Sequence, residues 1–343
     1  MKTEQLQGAE GVHRAVALLG EGKVVSLPTE TVYGLAADAL RPEAVVKIFE
    51  AKDRPRFDPL IIHLPDQTWL ERLAHVSTEN KEILEELIRR FWPGPLTIIL
   101  PKLDVVPGIV TAGLDTVALR LSAHPVFGEI IRNFGKPLAA PSANRFGRVS
   151  PTTPGHVMAE LGGRIPLVVD GGPTSHGIES TIVAIRNGAP EILRPGPITA
   201  DQLGGIGGPP MSHRPAADAT TPQIRAPGQL PSHYAPTTPF RIVGNINSFW
   251  AAANERIGTL TWTAMKNPAR FAATRQLSAK QDLREAAANL FRYLRELDDS
   301  NLDLIVAELV PEHGLGAAIN DRLRKAEGRG RVVATNQAEE NRP

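Results

Sequence analysis

Apolar positions along this chain follow two rhythms, one helical and one of short runs. Val12, Val16 and Leu19 share a helical face, and Gly20 and Gly22 end that run. Pro42 opens a helix predicted over 42–51, at a position where a missing N–H costs little. Over 77–91, Ile83, Leu84, Leu87, Ile88 and Phe91 form an apolar stripe behind Ser77 as N-cap. Pro93 and Pro95 forbid its continuation. Short apolar runs bounded by Gly, Pro or charge predict strands over 24–27, 96–100, 117–121, 138–140, 167–169 and 181–185. A further strand ends at His63. Helices and strands alternate, which predicts an α/β sheet covered by helices.

The pattern breaks at Gly204. From there to Pro239 the chain is rich in Gly, Pro and Thr, and HYAP (233–236) is its one polar-aromatic cluster. Such a stretch is too long for an ordinary connection and reads as a mobile linker or a functional lid. A second, smaller α/β pattern follows. Strands are expected over 241–243, 259–261 and 304–309, with helices over 282–297 and 317–326. The tail after Thr335 is polar and is expected to be disordered. The expected domains are thus 9–203, a linker 204–239, and 240–335.

Composition narrows the function. With 343 residues the chain has room for two domains. Lys+Arg 38 against Asp+Glu 37 leaves no large basic field for nucleic acid. Only a local groove of Lys52, Arg54, Arg56, Arg145 and Arg148 keeps that option open. The chain has 0 Cys, which removes thiol catalysis, disulfides and thiolate metal sites together. The N-terminus has no apolar signal core, and no apolar run approaches the roughly 20 residues that span a bilayer. A soluble cytoplasmic protein with no membrane partner is expected.

Common catalytic signatures are missing: GxxxxGK[ST], GxSxG and HExxH do not occur. GLGAAI (314–319) lacks the third Gly of a dinucleotide fingerprint and reads better as a tight strand–helix turn. Five loops instead offer hydroxyls and cations. They are the Thr29–Thr31 turn, the Lys52–Arg54 segment, the loop of Ser142, Asn144 and Ser150, the Gly-rich run into Ser180 and Thr181, and the end of the strand before Arg194. Arg120 lies inside an apolar strand and must be paired, with a carboxylate of the protein or with one from a ligand. Hydroxyls and cations without a general base or metal cluster suit a reaction whose nucleophile is itself a bound substrate.

The ordered set PTETVYGLAAD, KDRP…PLIIH, PGPLT, TVALRLSAHP, APSAN…SPT, GIESTIV and ILRPG resembles the Sua5/YrdC family of L-threonylcarbamoyladenylate synthases. HYAP and the ending GLGAAINDRLRKA resemble its longer Sua5 form. The resemblance implies a YrdC-like twisted mixed sheet with covering helices, plus a smaller Rossmann-like C-terminal domain. It implies a nucleotidyltransferase that joins L-threonine, bicarbonate and ATP into threonylcarbamoyl-AMP and pyrophosphate. The product serves t6A modification of tRNAs that read ANN codons, and other proteins make the transfer to tRNA. The family's Lys–Arg–Ser–Asn quartet falls on Lys52, Arg54, Ser142 and Asn144. Threonine contacts fall on Thr31, His63, Arg120, Ala140 and Ser180, and Arg120 is expected to hold the threonine carboxylate. ATP contacts fall on Arg54, Asp58, Thr116, Ser142, Ser150, Arg194 and, from the linker, Tyr234. Asp58 departs from the family pattern, in which Asn is common; a carboxylate there suits ribose, an amide or Mg²⁺. Mg²⁺ is expected to be held mainly by ATP phosphates, with no protein cage. The linker would close over the site. The competing expectation is a non-catalytic YrdC-type module binding double-stranded RNA or tRNA through the basic groove. A carbamoyltransferase like the hydrogenase-maturation proteins ranks lower, because those carry Cys-rich zinc modules.

Overall fold

The structure, a computed structural model, describes residues 2–208, 211–212, 226–229, 234–250 and 254–339. His233 and much of the linker lie outside the described residues. The chain divides into two compact units: Met1–Phe146 with Pro151–Ser175 and Glu179–Gln229, and Gly147–Ser150 with His176–Ile178 and Leu230–Pro343. The first unit therefore takes in residues before 9 and part of the linker, and two short segments from within 9–203 group with the second.

The strands of the first unit are β1 Glu4–Gln7, β2 Val25–Leu27, β3 Gly34–Asp38, β4 Ile61–His63, β5 Leu96–Pro101, β6 Thr116–Arg120, β7 Leu138–Ala139, β8 Leu167–Asp170, β9 Thr181–Arg186, β10 Ala189–Arg194 and β11 Met211–Ser212. Among the described residues they form one mixed sheet in the order β1-β8-β2-β3-β7-β4-β6-β5-β9-β10-β11. The helices are α1 Gly8–Gly20, α2 Pro42–Lys52, α3 Leu70–Leu73, α4 Lys81–Phe91, α5 Gly108–Thr111, α6 Pro125–Phe134, α7 Pro154–Leu161 and α8 Ala200–Leu203. α1 buries Val12 and Leu19 of its predicted face together with Ala15 and Leu18, and Val16 packs against them partly buried. α4 starts later than expected. Residues 78–80 form a 3₁₀ turn, and Ser77 makes no side-chain cap.

The central strands alternate. Ile62, Ile98, Leu119 and Val183 point into the main core, with Ile48, Phe49, Leu87 and Trp92 from the helices and their ends. Ile61, Ile99, Ala118, Ile182 and Leu193 form a second cluster on the other face, joined by Ala226. A third cluster packs α1 and α6 on Val25, Leu27, Leu138 and Val169. In this unit three strands escaped the sequence reading. β1 is polar and short, β3 (GLAAD) is made of small residues and resembles the turn before it, and β11 is two residues long within the Gly/Pro-rich stretch.

The second unit has β12 Phe240–Val243, β13 Ile257–Thr261, β14 Ala273–Gln276 and β15 Leu304–Glu308, with α9 Leu283–Asp298 and α10 Gly316–Glu339. The strands are all parallel, in the order β12-β15-β13-β14, which suits the small Rossmann-like domain. Asp282 caps α9 by accepting from the N–H groups of Arg284 and Glu285. α10 runs past 326 and through Thr335 to Glu339, so 336–339 of the tail expected to be disordered are helical, and the rest of it lies outside the described residues. The GLGAAI segment is the strand–helix turn, with Gly314 at φ 55° and the helix opening at Gly316. Among the described residues no helix is long and apolar enough to cross a membrane.

Candidate active site

The sheet register builds the site. His63 on β4 pairs with Arg120 on β6, and Arg120 pairs with Thr97 on β5. By strand alternation these three side chains share the face of Ile61, Ala118 and Ile99. One step further, Thr97 Oγ1 lies 2.7 Å from Ser180 Oγ at the entrance to β9. A bulge in β10 between Ile192 and Arg194 re-aims Arg194. Its guanidinium donates to the Ser180 carbonyl at 2.9 Å and the Ser180 hydroxyl at 3.2 Å. A polar row of His63, Arg120, Thr97, Ser180 and Arg194 thus crosses five strands, each residue buried.

The Thr29–Thr31 turn splits its work. Thr29 is structural: its hydroxyl donates to the Val32 carbonyl at 2.6 Å and accepts from the Thr31 and Val32 N–H groups. Thr31 faces the row, and its hydroxyl accepts from Arg120 Nη1 at 3.0 Å. Arg120 Nε donates to the Gly94 carbonyl at 3.2 Å. The carboxylate that this buried cation requires is Glu30, with Oε1 at 2.8 Å from Nη2. Of the two sequence alternatives for Arg120, the structure therefore shows the protein's own carboxylate. Burial opposes the charge on Glu30, but Arg120 and the Ser122 hydroxyl outweigh it and hold the carboxyl down at about 2. His63 packs on Phe127 of α6, with ring centroids 4.7 Å apart. Burial, reinforced by Arg120, lowers its pKa to about 3 and keeps the ring neutral.

Beside this row the loop of Pro141–Asn144 runs along β3. Ser142 bridges to Gly34, Ala143 N–H donates to the Tyr33 carbonyl at 2.8 Å, and Ala140 N–H donates to Ile61 at 2.9 Å. Gly34 keeps this approach close: a Cβ there would sit 3.3 Å from that of Ala140. Lys52 reaches under the loop from the end of α2. Its ammonium donates to the carbonyl of Ser142 at 2.5 Å and also to that of Asn144. Burial, with Arg54 adding to it, lowers the Lys52 pKa well below its ordinary value. Arg54 donates to the Pro59 carbonyl at 2.9 Å and pairs with Asp58 Oδ2 at 2.9 Å. The unusual Asp58 is thus matched by the chain's own Arg54. Burial raises its pKa, while Arg54, Lys52 and Arg194 oppose the rise. Of the three, Arg54 is in a direct ion pair with the carboxylate.

Thr116 begins β6, at the far end of the strand from Arg120, and lines a small cavity with Pro59, Leu60 and Pro227. Ser150 and Tyr234 belong to the second unit. There Tyr234 is buried, with its ring 5.6 Å from that of Phe291 and the Arg322 guanidinium 5.2 Å from its centroid. Of the residues in the basic groove, Lys52 and Arg54 are buried, Arg56 is exposed, and Arg145 is exposed but pairs with Glu160 at 3.3 Å. Among the described residues no cluster of His, Asp or Glu could hold a metal ion. Asp58 Oδ2 is ion-paired with Arg54 and Oδ1 makes no hydrogen bond, which fits a single contact to a Mg²⁺ carried by nucleotide phosphates. Glu30, Thr97 and Ser122 were missed from sequence. Only the demand of Arg120 for a partner could have pointed to Glu30.

A family model for Sua5, YciO and YrdC proteins, described as telomere recombination, matches residues 17–196. A second, described as the C-terminal domain of threonylcarbamoyl-AMP synthase, matches residues 198–328. The threonylcarbamoyl-AMP synthase of Bacillus subtilis strain 168 is 42% identical over 330 residues, 94% of either chain. That of Pyrococcus abyssi is 40% identical over 319 residues, 92% of this chain and 93% of the relative. The crystal structure of P. abyssi Sua5 complexed with L-threonine matches with a TM-score of 0.86 at 37% identity, over 96% of this chain and 98% of that one. The fold and the buried cation-and-hydroxyl row thus define a YrdC-type α/β protein with an added C-terminal domain. The chain belongs to the Sua5/YrdC family, in its long, two-domain Sua5 form.

Proposed function

We propose that this protein is a threonylcarbamoyl-AMP synthase, forming L-threonylcarbamoyladenylate and pyrophosphate from L-threonine, bicarbonate and ATP. The observation that carries the reading is the meeting, within one unit, of two groups of residues. One is an amino-acid-sized set of Thr31, His63, Arg120 and Ser180; the other is the cation cluster of Lys52, Arg54 and Arg194. Arg120 supplies a guanidinium for the α-carboxylate of threonine, and neutral His63 with Thr31 and Ser180 supplies short polar contacts for its side chain. The amine adds to CO₂ with loss of a proton, or to bicarbonate with loss of water, to give a carbamate, and a carbamate oxygen attacks the α-phosphorus as pyrophosphate leaves. Arg54, Arg194 and Lys52 face the charge that develops on the phosphates. Lys52 also ties down the carbonyls of Ser142 and Asn144, which fixes the loop whose hydroxyl and amide reach ATP. Mg²⁺ would screen the phosphates, with Asp58 the protein group suited to touch it. The product suits transfer by other proteins to tRNA for t6A, and a Cys-free chain suits the cytoplasm.

The test is one assay with ATP, threonine, bicarbonate and Mg²⁺, read by pyrophosphate release and mass detection of the acyl-adenylate. Omitting threonine should abolish both signals. Pyrophosphate released equally without threonine, or without any adenylate, would refute the reading.

A further inference from the structure

We propose that Glu30 is the positioning residue of the amino-acid site: it aims Arg120 and thereby sets affinity for threonine, leaving ATP alone. The inference rests on Arg120 receiving the threonine carboxylate.

A guanidinium has five N–H groups in a fixed fork. In Arg120 one goes to Gly94 and one to the Thr31 hydroxyl. Nη2 lies 2.8 Å from Glu30 Oε1, yet it lacks the alignment of a hydrogen bond. Glu30 therefore holds that end by charge, while Nη2 has no hydrogen-bond acceptor among the described residues and keeps its N–H groups for a second carboxylate. Glu30 itself is anchored. Ser122 Oγ donates to Oε2 at 2.5 Å, Ala123 N–H donates to Oε1 at 3.3 Å, and Ser175 Oγ donates to the Glu30 carbonyl at 3.2 Å. The connection from β6 to α6 thus fixes the carboxylate, and the carboxylate fixes the fork. Charge balance adds a second effect. Arg120 is only 3% exposed, so without Glu30 it would be a buried, uncompensated cation and would turn toward water or a stray anion. A neutral amide at this position would also set its NH₂ against the donors of Ser122 or Ala123.

The experiment measures steady-state constants for both substrates and calorimetric threonine binding in the wild type, Glu30→Gln and Glu30→Asp. Glu30→Gln should raise the KM and Kd for threonine about tenfold or more, as expected for a misaimed charged contact. The KM for ATP should stay within about twofold, since no ATP contact is touched. Glu30→Asp, which keeps the charge one methylene shorter, should recover part of the threonine affinity. A merely structural ion pair would move both substrates together, or lower kcat alone, and either result overturns the proposal. If Glu30→Gln does not fold by circular dichroism, Glu30→Asp decides: threonine and ATP constants shifted alike would overturn it. A wild type that binds no threonine would sink the functional reading beneath it. A wild type and a Glu30→Gln variant that bind threonine equally would sink this inference alone.

Discussion

His63 makes acid a selective denaturant of the first unit. Its ring is 2% exposed, packs on Phe127, and has no hydrogen-bond partner at Nδ1. The charged groups facing it are Arg120, which opposes protonation, and Glu30, which favours it. The unfolded ring takes up a proton near 6.5, and the folded ring resists down to about 3. Between these values the unfolded chain binds more protons. The contribution is therefore fully present above pH 6.5 and is lost as pH falls toward 3. At about 1.4 kcal/mol per unit, the loss is about 2 kcal/mol at pH 5 and approaches about 5 kcal/mol near pH 3. A loss of that size matters against a domain stability of roughly 5–15 kcal/mol. Glu30 acts in the same direction but only below its ordinary 4.5, so the window from pH 7 to 5 isolates histidine. The assay is urea unfolding at pH 7, 6 and 5 for wild type and His63→Gln. The half-buried His124, whose pKa desolvation also lowers, stays in both proteins and cancels. The wild type should lose about 2 kcal/mol more than the variant across that window. Parallel pH profiles would refute the account.

Further outcomes follow from the same geometry. Lys52→Ala or Arg54→Ala should each cost about 3 kcal/mol of transition-state stabilisation, read as pyrophosphate release, and an unchanged rate would remove them from the phosphate-facing role. Gly196→Ala places a Cβ 2.4 Å from the Thr181 nitrogen and 2.6 Å from the Ser180 carbonyl carbon. It should cost about 1–3 kcal/mol of stability and weaken threonine binding by shifting Ser180. Wild-type melting and affinity in that variant would show the loop to be more yielding than the packing indicates. Phe127→Ala should cost about 3–5 kcal/mol in urea unfolding, through the cavity left beside His63. A loss below about 1 kcal/mol would mean that the site collapses around it.

Much of this protein was legible before any coordinates. Helical stripes, bounded apolar runs and the break at Gly204 are local properties, because hydrophobic period and Gly/Pro punctuation act over a few residues. They predict the two α/β regions and most elements, and the ordered motifs point to the family. What the sequence could not express is which distant residues face each other. Nothing local pairs Glu30 with Arg120, Thr97 with Ser180, or Lys52 with the carbonyls of Ser142 and Asn144. β3 hid for a related reason: GLAAD has neither bulk nor alternation, and becomes a strand because β2 and β7 flank it. The chain by itself fixed residue types and local conformation. Only the sheet order and register decided which hydroxyls, cations and carboxylates share a face, since those contacts join strands far apart in sequence and form only when the whole core closes.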